Sequence, residues 1–317
     1  MTTSQYILRR LLLMVPVIIG ASLVVFFFLR IAPGDVVDLI LGDAGTYSEE
    51  RAQELRDQLG LSDPYWKQYL TWVADMARGD FGTSLFTGRS VLGAIKDRAP
   101  VTIELSILAL SMSILLSVGL GSIAAYTRGS VIDFSIRLIA VLMLMPSFWL
   151  ATLAILVLLK WFNWTPSFVY VPIWEDPGAN LKQLILPAVI LGIQLMAITT
   201  RMTRNSVLDV IRQDYVRTAK AKGLSRWRTT AMHTLPNALL PVITIIGVQM
   251  GALLSGTAII EQVFNIPGLG TLLLQAIRQR DYPTVQAMVF LSALTIAIIN
   301  LAIDLLYMVI DPRVRLA

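Results

Sequence analysis

The sequence contains no cysteine and only one histidine, His233. Without cysteine the chain has neither a disulfide framework nor a thiol for catalysis, although this absence leaves its compartment open. A single histidine argues against a histidine-ligated metal site and against a Ser-His catalytic pair. The usual hydrolytic and zinc-dependent chemistries are therefore poor explanations of this chain.

Charged residues are also scarce, because Asp, Glu, Lys and Arg together make up 15% of the 317 residues. An ordinary soluble domain is about 25% charged. Hydrophobic residues account for 56% of the chain, and the mean hydropathy is +0.68. The composition therefore predicts a membrane protein.

Six apolar segments have about the length of a membrane-spanning helix, which needs roughly 20 residues. None contains a charged side chain, and they cover residues 11–29, 105–126, 138–159, 184–200, 238–260 and 285–303. Arg9 and Arg10 precede the first, as in a signal peptide, but its apolar run is too long and "RIAPGD" is not a cleavage site. The expected fold is an all-α polytopic membrane protein with six transmembrane helices, the first being a retained anchor.

Basic residues in the short loops predict the orientation, since cytoplasmic loops carry an excess of Lys and Arg. The loops on one side contain Arg9, Arg10, Arg128, Arg137, Arg201, Arg204, the run through Arg228, Arg313 and Arg315. The short loops on the other side contain only Lys160, Lys182, Arg278 and Arg280. Both termini are therefore expected in the cytoplasm.

The polar segment between the first two spans predicts a helical extracytoplasmic insertion. Thr46 and Glu49 match a T-x-x-E capping box at the start of one helix. Asp63 and Pro64 would begin a second helix, which carries an aromatic stripe that includes Trp66. The insertion either stabilises the bundle or contacts a docking partner. The expected division is a 1–30 anchor, a 31–100 insertion, and a 101–317 five-span core with a coupling loop at about 201–237.

The most basic stretch of the chain, residues 214–237, reads "DYVRTAKAKGLSRWRTTAMHTLPN". Gly223 permits a positive φ and hence a sharp turn after a short first helix. Ser225 would cap a second helix that ends before Pro236. Three interpretations of the stretch are open. It is a loop that only sets the membrane topology, a nucleic-acid site, or a docking helix for a cytoplasmic partner. The docking helix fits best, because a membrane-tethered loop offers little basic surface to nucleic acid.

This stretch resembles the EAA loop of ABC-importer permeases. Ala219, Gly223, Leu235 and Pro236 carry the resemblance, whereas the motif's glutamate is replaced. "YVRTAKAKG" is typical of the peptide and nickel branch, and so are "LGLSDPYWKQY", "GDFGTSLFTGRSV", "EQVFNIPGLG" and "DLLYMVIDPRVR". Across nearly its whole length the chain is similar to the first-permease, or B-type, subunit of dipeptide, oligopeptide and nickel importers.

The resemblance implies a bacterial or archaeal inner-membrane permease that is not itself an enzyme. It would pair with a homologous second permease, two cytoplasmic ATPase subunits that use ATP and magnesium, and an extracytoplasmic solute-binding protein, with no cofactor in this chain and no nucleic-acid partner. The first helix of the loop would dock on an ATPase through Asp214, Tyr215, Arg217, Thr218, Ala219, Lys222, Gly223 and Leu224. His233, Leu235 and Pro236 would support the loop.

Polar residues within the spans are candidates for the translocation path, because polar groups in lipid must face a cavity or a partner. They are Gln194, Thr199, Gln249, Ser255 and Asn300. The alternative for each is a hydrogen bond between helices. Gly247 and Gly251 form a G-x-x-x-G pair that predicts close helix packing.

Di- and oligopeptides are the leading substrates, with nickel complexes, glutathione and sugar-derived solutes as alternatives. An ATP-independent channel would need a polar pore ring, which the sequence lacks. A membrane-embedded enzyme would need paired acids or histidines at bilayer depth, and the spans contain none.

Overall fold

A computed structural model describes residues 3–31, 37, 41, 49–58, 60–142, 145–167 and 169–310. The helices are α1 Thr3–Ile31, α2 Glu49–Gln58, α3 Tyr65–Ala77, α4 Val91–Tyr126, α5 Val131–Leu142, α6 Ser147–Phe162, α7 Pro177–Ile211, α8 Asp214–Ala221, α9 Arg226–Thr229, α10 Leu235–Ala238, α11 Leu240–Gly256, α12 Ala258–Val263, α13 Leu269–Gln279 and α14 Tyr282–Ile310. A π-helical turn, Thr230–Thr234, joins α9 to α10. Within the described residues the only β pairing is an isolated bridge between Thr83 and Ser90.

Four of the described helices, α1, α4, α7 and α14, are long and apolar enough to cross a membrane. A fifth candidate is the bent pair Arg226–Ala238 and Leu240–Leu254, whose halves meet at 56°. The chain is therefore an all-helical, multi-pass membrane protein with four or five candidate spans in its described part. The predicted count of six is neither reached nor excluded by these helices.

The predicted third span differs most from expectation. Instead of one helix over 138–159, α5 ends at Leu142 and α6 begins at Ser147 with Pro146 as its N-cap. Proline lacks the amide hydrogen of the helical ladder and disfavours helical geometry in the residue before it. With 16 residues, α6 is about 24 Å long, which is less than the ~30 Å apolar core of a bilayer.

Helices α4 and α7 are both longer than their apolar segments because capping residues set their ends. Ser90 accepts a hydrogen bond from the Gly93 amide, so α4 begins inside the predicted 31–100 insertion. Asp176 accepts from the amides of Gly178 and Ala179 and starts α7 at Pro177. Caps satisfy the free amides of a first turn regardless of hydropathy.

Close packing of α4 against α7 forms the centre of the bundle. A Cβ on Gly192 would lie 3.0 Å from the Ala109 carbonyl oxygen, and one on Gly121 would lie 2.7 Å from the Thr203 Cβ. Small residues at such contacts let two helix backbones approach and gain dispersion energy in lipid. Because both helices exceed 34 residues, the pair connects the two ends of the bundle.

The G-x-x-x-G pair of α11 also allows close packing, as predicted. A Cβ on Gly247 would overlap the Ile303 side chain, and one on Gly251 would lie 3.5 Å from Ile296 Cγ1. Both isoleucines belong to α14, so the described neighbour is a helix of the same chain. Helix α14 packs against α1 as well, with Arg10 Nη1 3.1 Å from Asp304 Oδ2.

The two ends of the bundle are chemically different. The end that carries residues 212–234, called the loop end, contains the C-terminus of α4 and the contact between Arg226 and Tyr126. The other, called the insertion end, contains α3, the N-terminus of α4, α12 and α13. Helix α3 binds α1 there, because Arg30 donates to Gln68 Oε1 from Nε at 3.0 Å and from Nη2 at 2.7 Å.

The predicted start of α3 was off by one position. Pro64 is the N-cap, and the Asp63 side chain does not cap the helix but lies 2.8 Å from Lys67 Nζ. Opposite charges four residues apart stabilise a helix by a few tenths of a kcal/mol. Trp66 of the aromatic stripe is exposed, whereas Thr46 of the expected capping box lies outside the described residues.

Candidate functional site

Helix α8 lies at the loop end, two residues after α7. Its side chains divide by burial, since Val216 is fully buried and Ala219 is 7% exposed within the chain itself. Gly223 has a φ of +80°, which turns the chain sharply after the helix, as the sequence predicts. The helix is thus held on the bundle by a small apolar face.

The remaining residues of the predicted docking set divide into three groups. Asp214, Tyr215, Arg217, Thr218, Lys222 and Gly223 are exposed. Leu224 is half-buried. Ala219 is buried within the chain itself, and its contribution to docking stays a prediction. Its small side chain allows α8 to lie close to its own bundle.

The second helix of the loop does not end before Pro236, contrary to the sequence prediction. Ser225 caps α9 as expected by accepting from the Arg228 amide, but α9 passes into the π-helical turn and then into α10. The Leu235 amide donates to the Thr230 carbonyl, five residues back. Pro236 follows this π-helical turn, and its ring nitrogen has no amide hydrogen to donate to the turn before it.

Tyr126, at the C-terminus of α4, anchors this second helix. The Arg226 guanidinium lies 4.7 Å from the centre of the Tyr126 ring and donates to the Tyr126 carbonyl at 3.2 Å. The hydroxyls of Thr230 and Tyr126 are hydrogen-bonded at 2.6 Å. Cation–π and hydrogen-bond contacts to one residue fix the loop against α4.

A buried ion pair lies beside the loop and was not predicted from the sequence. Asp133 accepts from Arg204 Nε at 2.7 Å and from Nη2 at 2.8 Å, and its side chain is 1% exposed. The Arg204 hydrogen bonds lower the pKa of Asp133 from 3.8 to about 2, against the opposing effect of burial. The pair joins the start of α5 to the last part of α7. In the sequence the pair is indicated only by Asp133 itself, an acidic residue between the basic residues Arg128 and Arg137.

The predicted supporting residues occupy different positions. Leu235 packs against a cluster of Ala125, Val207 and Ala238, which joins α4, α7 and α10. His233 lies in the π-helical turn, where its carbonyl accepts from Asn237 Nδ2 at 3.0 Å. Pro236 is exposed. Of these three predicted supporting residues, Leu235 is the one that packs in an apolar cluster under the loop.

Three of the predicted path residues make hydrogen bonds between segments of this chain. Gln249 of α11 donates to the Leu195 carbonyl of α7 at 3.0 Å and accepts from the Thr199 hydroxyl at 3.2 Å. Gln194 donates to the Met145 carbonyl at the break between α5 and α6, at 2.9 Å. Their polar groups therefore have partners inside the protein.

The other two path candidates differ from these. Asn300 is exposed and lines a groove of about 300 Å³ between α1 and α14. The side chain of Ser255 lies outside the described residues. The structure thus brings Thr199 and Gln249 together and leaves Asn300 apart.

Glu261 forms a second buried polar site, at the insertion end, and sequence reasoning missed it. The residue is fully buried, and its carboxylate accepts from the hydroxyls of Thr102 and Thr257, each at 2.7 Å, and from the Thr271 amide at 2.8 Å. It therefore fixes α12 to the first turn of α13 and to α4. Across the described residues no three His, Asp or Glu side chains group as metal ligands.

Comparison with known proteins connects this geometry to a family. The family model described as "Binding-protein-dependent transport system inner membrane component" matches residues 117–316, and the model of its N-terminal part matches residues 3–106. The chain is 38% identical to the dipeptide transport system permease protein of Alkalihalophilus pseudofirmus, over 98% of this chain and 99% of that protein. It is also 38% identical to the dipeptide transport system permease protein of Escherichia coli K12, over 98% of both chains. The chain belongs to the family of inner-membrane components of binding-protein-dependent transport systems.

Proposed function

We propose that the chain is the permease subunit of an ABC importer that carries di- or oligopeptides across the inner membrane. The names of its relatives support peptides as substrate, and membership of the family supports dependence on a solute-binding protein. A homologous second permease would supply the other half of the pathway. Two ATPase subunits would bind ATP and magnesium and hydrolyse the nucleotide.

The proposed topology has six spans with both termini in the cytoplasm. Helices α1, α4, α7 and α14 supply four spans, and the bent pair supplies another. The broken pair α5 and α6 would supply the remaining span, with neighbouring groups satisfying the carbonyls freed at the break. Gln194, which donates to the Met145 carbonyl, is one such group. The loop end then faces the cytoplasm and the insertion end faces outward.

The observation that carries the coupling proposal is the position of α8. It is fixed to the bundle by Val216 and Ala219 while Tyr215, Arg217 and Thr218 remain exposed beside the loop end. An ATPase that docks on these exposed side chains and displaces α8 would also displace α7, because only two residues separate the two helices. The exposed basic groups favour an acidic docking surface and a fast encounter.

Motion of α8 would reach the bundle by two connections. One is covalent, through residues 212 and 213 to α7, and the other is the contact of Arg226 and Thr230 with Tyr126 on α4. ATP-driven closure of the ATPase pair would therefore shift α4 and α7 together and bias the permease pair between inward-open and outward-open states. Thr199 of α7 and Gln249 of α11, which are hydrogen-bonded to each other, are proposed to line or border the path.

Thr218→Trp tests the docking surface without disturbing the interior, since Thr218 is exposed. We expect it to abolish co-purification of the ATPase subunits and ATP-driven uptake of labelled dialanine by proteoliposomes that contain the complete transporter. Thr165→Trp is the matched control, because Thr165 is exposed and follows α6 at the insertion end. It should leave both measurements unchanged.

Two results would contradict the proposal. Normal ATPase binding by the Thr218→Trp variant would remove α8 as the docking element. Uptake that persists when the ATPase subunits are omitted would indicate a channel rather than an ABC importer.

A further inference from the structure

The groove of about 300 Å³ between α1 and α14 runs along one half of each helix. In α14 it extends from Asp304 to Ala293, which lies at the middle of the candidate span Tyr282–Leu306. In α1 it begins at Arg10, close to the start of that helix's candidate span. The groove therefore lies in the leaflet of the membrane on the side of the loop end.

The lining of the groove changes from charged to polar to apolar along its length. At the loop end, Arg10 Nη1 lies 3.1 Å from Asp304 Oδ2. Asn300 is exposed and stands four residues before Asp304, so it lies about 6 Å deeper in the membrane. All the other described residues that line the groove are apolar.

A phospholipid presents its groups in the same order. The headgroup region of each leaflet is about 5–8 Å thick, so a phosphate beside Arg10 places the ester carbonyls at about the depth of Asn300. The groove continues from Asn300 to Ala293, over about 10 Å of helix. This length fits within the ~15 Å that an acyl chain crosses in one leaflet.

The basic groups at the loop end of the groove favour an anionic headgroup. Arg10 is 43% exposed, and a guanidinium has five N–H donors, so Arg10 can bind a phosphate oxygen while it keeps its contact with Asp304. Arg9, which precedes it, is also exposed. Two positive charges thus stand near one carboxylate, and an anionic phospholipid is attracted more strongly than a zwitterionic one.

The shape of the groove suits an acyl chain better than a helix of a partner subunit. Ala293 and Ala297, one turn apart in α14, give it a floor of small side chains, whereas Leu13 and Val17 on the α1 side are exposed. A helix with its side chains is about 10–12 Å wide and would rest on the exposed side chains above this floor. A void left beneath it would forfeit dispersion energy, which a flexible chain in the groove recovers.

We propose that this groove binds one molecule of an anionic phospholipid. Its phosphate binds Arg10, and an ester carbonyl accepts a hydrogen bond from the side-chain amide of Asn300. One acyl chain fills the space between α1 and α14. Asn300 then has a partner outside the chain, as a polar group at membrane depth requires.

The test is native mass spectrometry of the complete transporter, released from nanodiscs that contain equal parts of phosphatidylglycerol and phosphatidylcholine. We expect the wild type to retain one phosphatidylglycerol molecule that Ala293→Leu loses, because the larger side chain occupies the groove. Asn300→Leu and Arg10→Gln should each lower the occupancy of that lipid about fivefold, as for one hydrogen bond or one basic residue at a membrane surface. Arg10→Lys, which keeps the charge, should retain most of it.

Two matched controls separate the groove from the rest of the surface. Ala302→Leu and Asn205→Leu make the same exchanges at exposed positions that do not line the groove. Both should retain as much phosphatidylglycerol as the wild type. Should Arg10→Gln fail to assemble because it loses its contact with Asp304, the leucine variants still decide the question.

A photoreactive label identifies what covers the groove. The chain has no cysteine, so a benzophenone attached to Leu13→Cys reports from this position alone within the chain. Adducts with phosphatidylglycerol in excess of phosphatidylcholine would support the proposal. Adducts mainly with a partner subunit would overturn it, and so would equal retention of the two lipids by the wild type or unchanged retention by both Ala293→Leu and Asn300→Leu.

Discussion

Replacing Asp133 by asparagine tests whether the ion pair with Arg204 stabilises the loop end. The carboxylate receives two hydrogen bonds from one guanidinium, at 2.7 and 2.8 Å, and these are the main reason that its pKa falls from 3.8 to about 2. Since each pKa unit corresponds to about 1.4 kcal/mol, ionised Asp133 contributes about 2 kcal/mol to folding at neutral pH. Little solvent reaches the pair, because Arg204 is 15% exposed and Asp133 is 1% exposed.

The sign of the pH dependence follows from the lowered pKa. The folded protein binds the Asp133 proton more weakly than the unfolded chain does, so acid favours unfolding. The stabilisation is complete above pH ~4, falls as the pH approaches the folded pKa, and is lost below pH ~2. The difference in stability between the wild type and the Asp133→Asn variant should shrink in the same range.

The assay is a double-mutant cycle of unfolding free energies in nanodiscs at pH 7. Asp133→Asn, Arg204→Met and the double variant should give a coupling of about 2 kcal/mol. Arg137, whose Nε is 3.4 Å from Asp133, should keep part of the interaction when Arg204 is removed. Glu54→Gln is the control, because its pair with Arg51 spans 3.8 Å between side chains that are 66% and 72% exposed. The reasoning would be refuted if the losses of unfolding free energy in the two single variants simply added up in the double variant. It would also be refuted if the Asp133→Asn variant were as stable as the wild type.

Two further predictions concern close packing and the buried carboxylate. Gly247→Ala should destabilise the chain by about 1–3 kcal/mol, because the new methyl group overlaps Ile303, and adding Ile303→Ala should restore part of the loss. Gly20→Ala is its control, since nothing lies within 4 Å of the added Cβ; equal melting temperatures for the two alanine variants would contradict the packing argument. Glu261→Gln should cost about 1–3 kcal/mol, because its amide nitrogen cannot accept from the Thr271 amide or a threonine hydroxyl. Glu175→Gln is its control, because Glu175 is exposed and its replacement should leave the melting temperature unchanged. If Glu261→Gln also left the melting temperature unchanged, the buried network would contribute no stability.

Local chemistry explains what could be predicted from the sequence. The turn at Gly223, the Ser225 cap and the close packing at Gly247 depend on one or two residues and their neighbours in the chain. Hydropathy placed the long apolar helices but not their ends, since capping by Ser90 and Asp176 extends α4 and α7 beyond their apolar segments.

Contacts between distant segments explain what was missed. Asp133 and Arg204 are 71 residues apart in the sequence, and Thr102 and Glu261 are 159 apart. Neither pair has a periodicity or motif that links its members. The inward direction of Ala219 was also hidden, because a small residue on a short helix suits approach to a partner as well as approach to its own bundle.

Helices α4 and α7 provide a physical route between the two ends of the molecule. At the loop end they meet at Gly121 and Thr203, in the middle at Gly192 and Ala109, and at the insertion end Asn180 donates to Glu104 at 3.2 Å. Close contacts at these three levels oppose sliding of one helix along the other, because sliding would bring glycine positions under bulkier neighbours. Under the proposed function, a push on α8 therefore reaches the insertion end through this pair. There the Glu261 network ties α4 to α12 and α13, so the same motion would reposition the segments at the opposite end of the bundle.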